Sequence, residues 1–169
     1  MLFRSRLYRE SVQHGTIDGD PYARLAQFAR EEGDRRVAIE MYGVALRFDG
    51  RNVIVMNNLA ELLGDEEGRL DDALRYAQNA NALAPERPEF ADTCGWLLLR
   101  AGRVKDAADL LEPAAVILKT NAVLQYHAGM AVSRLSRPTD ARDYLERALR
   151  LDPKFPGADA ARAEIDKLR

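Results

Sequence analysis

Gly68-Arg69-Leu70-Asp71-Asp72-Ala73 and Gly102-Arg103-Val104-Lys105-Asp106-Ala107 are one phrase written twice, 34 residues apart. Each sets a glycine five residues before an alanine. The same pairing recurs upstream as Gly33/Ala38 and downstream as Ser136/Ala141, so the alanines step by 35, 34 and 34. A small residue followed by a helix-forming run, repeated at this length, predicts a helix–turn–helix unit used four times. One such unit cannot bury its own apolar face; stacking on the next unit supplies the core.

The frame divides the chain into repeats at 19–52, 53–87, 88–121 and 122–155, each a helix A, a tight turn and a helix B. In repeat one, Asp20-Pro21 places an acid and a proline where a helix starts. Tyr22, Leu25, Ala26 and Ala29 then share one face at helical spacing, and Ala38, Tyr42 and Ala45 line the next helix. Repeat two offers Met56, Leu59, Ala60 and Leu63, then Ala73, Ala77 and Ala80, and Pro85 closes it. Its turn, Gly64 to Gly68, holds one extra residue, which accounts for the step of 35. Repeats three and four follow with Cys94, Gly95, Leu98, Ala107 and Leu111, and with Ala128, Gly129, Val132, Ala141 and Leu145. Ala26, Ala60, Gly95 and Gly129 share one repeat position, where helix A must approach helix B closely. Larger side chains there would force the axes beyond the usual ~8–10 Å.

These residues resemble the tetratricopeptide repeat (TPR) family over roughly residues 19–155. The agreement lies in the small positions, in the large helix B residue (Tyr42, Leu111, Leu145) and in the closing prolines Pro85 and Pro153. The chain departs at the early helix A aromatic, where Tyr22, Met56, Ala91 and Gln125 stand, and at Ala77, where a large residue is usual. The resemblance implies an all-α, TPR-type right-handed α-solenoid, a single domain over 1–169 with a C-terminal capping helix in 156–169. Residues 1–18 read as a degenerate half-repeat, with Tyr8 at the large position, Ser11 at a small one and Arg4 where alanine belongs. Asp92-Thr93-Cys94-Gly95-Trp96, Gln125-Tyr126-His127 and Phe155-Pro156-Gly157 also resemble the C-terminal repeats of bacterial TPR proteins associated with exosortase/PEP-CTERM and exopolysaccharide systems. That likeness implies a regulatory module of an export system and a periplasmic or envelope location. A complete chain, with no apolar region after Arg4 and Arg6, is expected in the cytoplasm.

Composition narrows the function classes. With 25 basic and 27 acidic residues the formal net charge is -2, which gives no basic footprint for nucleic acid. The longest apolar runs, such as Trp96-Leu97-Leu98-Leu99, are far short of a membrane span. His14 and His127 lie far apart in the repeat order, so no nucleophile–base set converges and no enzyme is expected. No metal or other cofactor is expected: Asp65-Glu66-Glu67 has the wrong charge for a phosphate loop, and Leu70 stands where an EF-hand needs glycine. The lone Cys94 reads as a small buried hydrophobe.

The resemblance puts helices A on a concave face that binds a protein or peptide partner. Repeat one would show Arg24, Gln27, Arg30 and Glu31 there, and repeat two Asn57, Asn58 and Glu61. Repeat three would show Glu89, Asp92, Thr93, Trp96, Leu99 and Arg100, and repeat four Val123, Tyr126, His127, Met130 and Arg134. The first half is polar; the second clusters Trp96, Leu99, Tyr126 and Met130, a composition suited to a binding hot spot. Trp96 either faces this groove or packs between the helices of repeats three and four. The family's basic carboxylate clamp, carried over onto Ala23, Gln27, Asn58, Glu89 and Thr93, is matched only at Asn58, which disfavours capture of a chaperone-type carboxylate. The alternative is a homo-oligomer, with Leu2, Phe3, Leu7 and Val12 of the half-repeat docking on another copy.

Overall fold

The computed structural model describes residues 20–168, so the half-repeat, His14 and the proposed docking residues lie outside the described residues. Among the described residues the chain forms nine α-helices and no strand. They are α1 (Asp20–Glu31), α2 (Arg35–Phe48), α3 (Val53–Gly64), α4 (Leu70–Leu83), α5 (Pro88–Arg100), α6 (Val104–Ile117), α7 (Ala122–Arg134), α8 (Pro138–Leu151) and α9 (Ala158–Lys167). Odd-numbered helices from α1 to α7 are helices A of the four repeats, and α9 is the cap. The chain divides between Ala84 and Pro85 into two compact halves.

The repeated phrase works because its small residue adopts left-handed backbone. Gly33, Gly68, Gly102 and Ser136 have φ of 82°, 73°, 78° and 58°. Three of these turns close in the same way. The amides of Asp34, Arg103 and Arg137 donate back to the carbonyls of Ala29, Leu98 and Val132, while those of Gly33, Gly102 and Ser136 donate to Arg30, Leu99 and Ser133. This is the Schellman ending, which satisfies carbonyls that a helix terminus otherwise orphans. It also turns the chain sharply enough for helix B to fold back on helix A. Arg69, Arg103 and Arg137 then reach forward to Asp72, Asp106 and Asp140, with Nε–Oδ2 distances of 2.8 Å in all three. In repeat one the corresponding residue is Asp34, whose carboxylate caps α2 by accepting from the Val37 amide at 3.1 Å.

Close packing of A on B follows from the second small position. A methyl added to Gly95 would lie 2.6 Å from Leu111 Cγ, and one on Gly129 would lie 2.8 Å from Leu145 Cδ2. Both leucines are fully buried at 0% exposure, so neither has room to retreat. Ala26 and Ala60, at the same position in the first two repeats, are also at 0%.

In the N-terminal half, α2 packs on α3 and each A–B pair is closely joined. Arg35 ties them: its guanidinium donates to the Leu62 carbonyl at 2.5 Å and meets Asp65 and Glu66 at 3.0 and 2.7 Å. In the C-terminal half, α6 packs on α7, α8 on α9, and α7 touches both α5 and α9. Gln125, placed where the repeat pattern wants an aromatic residue, is buried at 0% exposure. Its amide Nε2 donates to the Ala115 carbonyl at 2.7 Å, one of the last-turn acceptors of α6. Arg147 donates to the Gln125 Oε1 at 3.4 Å. An apolar side chain there would strand the Ala115 carbonyl, a penalty of about 1–3 kcal/mol.

Candidate functional site

The structure brings Asp92, Trp96, Tyr126, His127 and Met130 together in the C-terminal half, on adjoining faces of α5 and α7. Trp96 stands at the repeat position of Met130, four and three residues beyond Tyr126 and His127. Helical side chains lean toward the N-terminus of their own helix, so the indole reaches back over the preceding turn of α7. It stacks on the His127 imidazole with centroids 4.1 Å apart and planes 17° apart, and it lies 5.7 Å from the Tyr126 ring. Asp92 Oδ1 lies 2.6 Å from His127 Nδ1. A carboxylate only accepts, so the Nδ1 proton is donated to Asp92 and the imidazole is held beneath the indole. Asp92 and His127 are 35 residues apart, one repeat plus one, which is the sequence signal of a contact between successive helices A.

Behind this layer sits the cap. Tyr126 lies 5.4 Å from the Phe155 ring, and both belong to a buried cluster with Leu145, Ala148, Ala158 and Ala161. Gly157 permits the approach: its φ is 112°, and a methyl there would lie 2.9 Å from Tyr126 Cε1. Burial, with the Glu164 carboxylate adding to it, pushes the Tyr126 phenol up, and Arg134 opposes the shift. Trp96 and Met130 are only partly buried where they pack on this cluster.

Two expectations for this half are corrected. Leu99, read as an open-face residue, is 2% exposed, and Tyr126 is 7% exposed. The open stripe is narrower than the list of positions implied, because a residue three beyond Trp96 rotates toward the packed side of α5. Arg134, at the C-terminal end of α7, is exposed.

The polar set of repeat two is assembled separately, in the N-terminal half. Glu61 accepts from Asn57 Nδ2 at 3.1 Å and pairs with Arg30 at 2.6 Å. Asn57 is 6% exposed and so offers little surface. Asn58, the single clamp match, donates its Nδ2 to the Tyr42 hydroxyl at 3.3 Å. Asn57 and Glu61 are thus joined to each other, and Asn58 to the Tyr42 hydroxyl. Among the described residues no group of His, Cys, Asp and Glu is placed to hold a metal ion, and no helix is long and apolar enough to cross a membrane. Cys94 is 2% exposed, and burial pushes its thiol up to about 11, far from thiolate chemistry at neutral pH.

Paired helices in a 34-residue frame, left-handed small residues at each turn and glycine or alanine at each A–B crossing decide the architecture. The fold is that of the tetratricopeptide repeats. Solved TPR structures agree across nearly the whole chain. It is similar to YrrB, a TPR protein with an unusual peptide-binding site, at 20% identity and a TM-score of 0.76, over 94% of this chain and 81% of that one. It is similar to MamA of Desulfovibrio magneticus RS-1 at 17% identity and a TM-score of 0.70, over 91% and 94%. The thermophilic TPR protein TTC0263 of Thermus thermophilus follows at 16% identity and a TM-score of 0.68, over 97% and 88%. No family model matches the sequence, and no curated protein matches it significantly. The likeness of Asp92–Trp96 to exosortase-associated repeats gains no support from these TPR neighbours.

Proposed function

We propose that this TPR chain is a non-catalytic interaction scaffold, and that a segment of a partner protein lies on the α5–α7 face with Trp96 as its anchor. The observation that carries this reading is the state of Trp96. Its indole is stacked on an imidazole that Asp92 holds in place, yet it remains only partly buried beside the partly buried Met130. A large aromatic on a rigid support, desolvated on one side, is how interface anchors are built. The peptide-binding site of YrrB, a protein of the same fold, is consistent with such a use of the TPR architecture.

The test is Trp96→Ala measured two ways. We expect capture of the partner by the full chain to fall at least tenfold, about 1.4 kcal/mol, while the thermal midpoint drops by only a few degrees. A large loss of stability with undiminished capture would mean that Trp96 serves the packing of the cap and nothing else. Tyr126 is unsuitable for this experiment, because its ring is part of the buried cluster.

A further inference from the structure

The α5–α7 face is charged unequally along its length. Glu89, Asp92, Trp96 and Arg100 follow one another at helical spacing on α5, and Val123, Tyr126, Met130 and Arg134 hold the same repeat positions on α7. The end nearest the helix N-termini therefore carries carboxylates and the end nearest the C-termini carries guanidinium groups, with Trp96 and Met130 between them. At the acidic end, Asp92 is already engaged by His127, whereas the exposed Glu89 carboxylate makes no ion pair among the described residues. At the basic end, Arg134 is exposed and makes no ion pair within 4.0 Å among the described residues, though its charge is felt by Tyr126 and Glu164. Glu164 is the nearby acid, and its carboxylate is taken by the Ser133 hydroxyl at 2.5 Å and the Lys167 ammonium at 3.0 Å.

From this polarity we infer that the segment recognised here is bipolar, with a lysine or arginine, an apolar or aromatic anchor and a carboxylate in that order along the face. The inference rests on the partner-binding reading above and gives it a chemistry. Spacing follows from the helix. Glu89 precedes Trp96 by roughly 10 Å of rise, and Trp96 precedes the level of Arg100 and Arg134 by roughly 6 Å. An extended chain advances ~3.3 Å per residue, so the cation stands about three residues from the anchor and the carboxylate about two residues beyond it. The anchor supplies affinity; the flanking charges set direction, because the reversed segment brings like charges together at both ends.

The experiment is selection from a random dodecapeptide display library on the full chain, followed by titration calorimetry of the enriched peptides. Peptides that lose binding to Trp96→Ala should share the cation–anchor–carboxylate order. The exchange variant Glu89→Lys/Arg134→Glu changes only exposed residues, and because it reverses one favourable charge at each of two helix termini it should lower the thermal midpoint by only a few degrees. It should bind those peptides about fivefold to tenfold more weakly, the loss expected of two exposed charge pairs, and should prefer the reversed order. Trp96-dependent peptides with no charge order, or with affinity unmoved by the exchange, overturn the bipolar proposal and leave the scaffold reading intact. A selection that yields no Trp96-dependent peptide overturns both.

Discussion

Ser136 does with a serine what Gly33, Gly68 and Gly102 do with glycine, at a φ of 58°. The left-handed region costs a non-glycine residue about 1–2 kcal/mol, part of which glycine gives back through its freer unfolded chain. Ser136→Gly is therefore expected to stabilise the protein by about 0.5–1 kcal/mol, raising the thermal midpoint by about 1–4 °C. A calorimetric midpoint that stays put or falls would show that the serine is not strained. At this scale the sequence was unusually legible, since the four small residues that set the repeat frame are left-handed at all four A–B turns. Leu99 was misread for an equally local reason. Assigning residues to the open face by repeat position ignores how narrow a stripe of helix A stays uncovered between its packed flanks.

Among the elements, α9 shows how the cap is fastened. A hydrogen bond from Ser133, with a second hydrogen bond and the charge of Lys167 adding to it, holds the Glu164 carboxyl below its ordinary value near 4.5. The folded state therefore binds its proton less readily than the unfolded chain does. The stability this contributes is fully present above about pH 4.5 and is lost as pH falls through the folded value. Melts taken from about pH 6 down to about pH 3 should show the midpoint falling, with a shallower fall in Ser133→Ala. Identical slopes in the two proteins would detach α9 from this contact. Helix boundaries were readable from glycine and proline signals, whereas the Asn52 and Asn121 caps, which accept from Val55 and Leu124 at 3.1 Å, emerge only in the structure. The Gln125–Ala115 bond was not readable. It depends on which carbonyl of a neighbouring helix falls opposite an odd residue, and no periodicity encodes that.

For the whole molecule, the repeat architecture implies that each half draws its stability from near neighbours in the chain. The C-terminal half holds the Trp96–His127 stack, the Tyr126–Phe155 cluster and its own cap. Residues 85–169 expressed alone are expected to keep a helical circular dichroism spectrum, with a lower melting temperature than the full chain. A coil spectrum would refute this. The fold was legible because it is what the sequence repeats. The candidate site lies in residues that break the repeat: Trp96 against Met130, His127 against Thr93, Asp92 against Tyr126. Their meeting depends on side chains leaning across from one helix to the next. One consequence is practical. Trp96 is the chain's single tryptophan, so every photon of indole emission comes from the face proposed to meet the partner. The unlabelled protein thus carries its own optical probe, read against no background from other indoles.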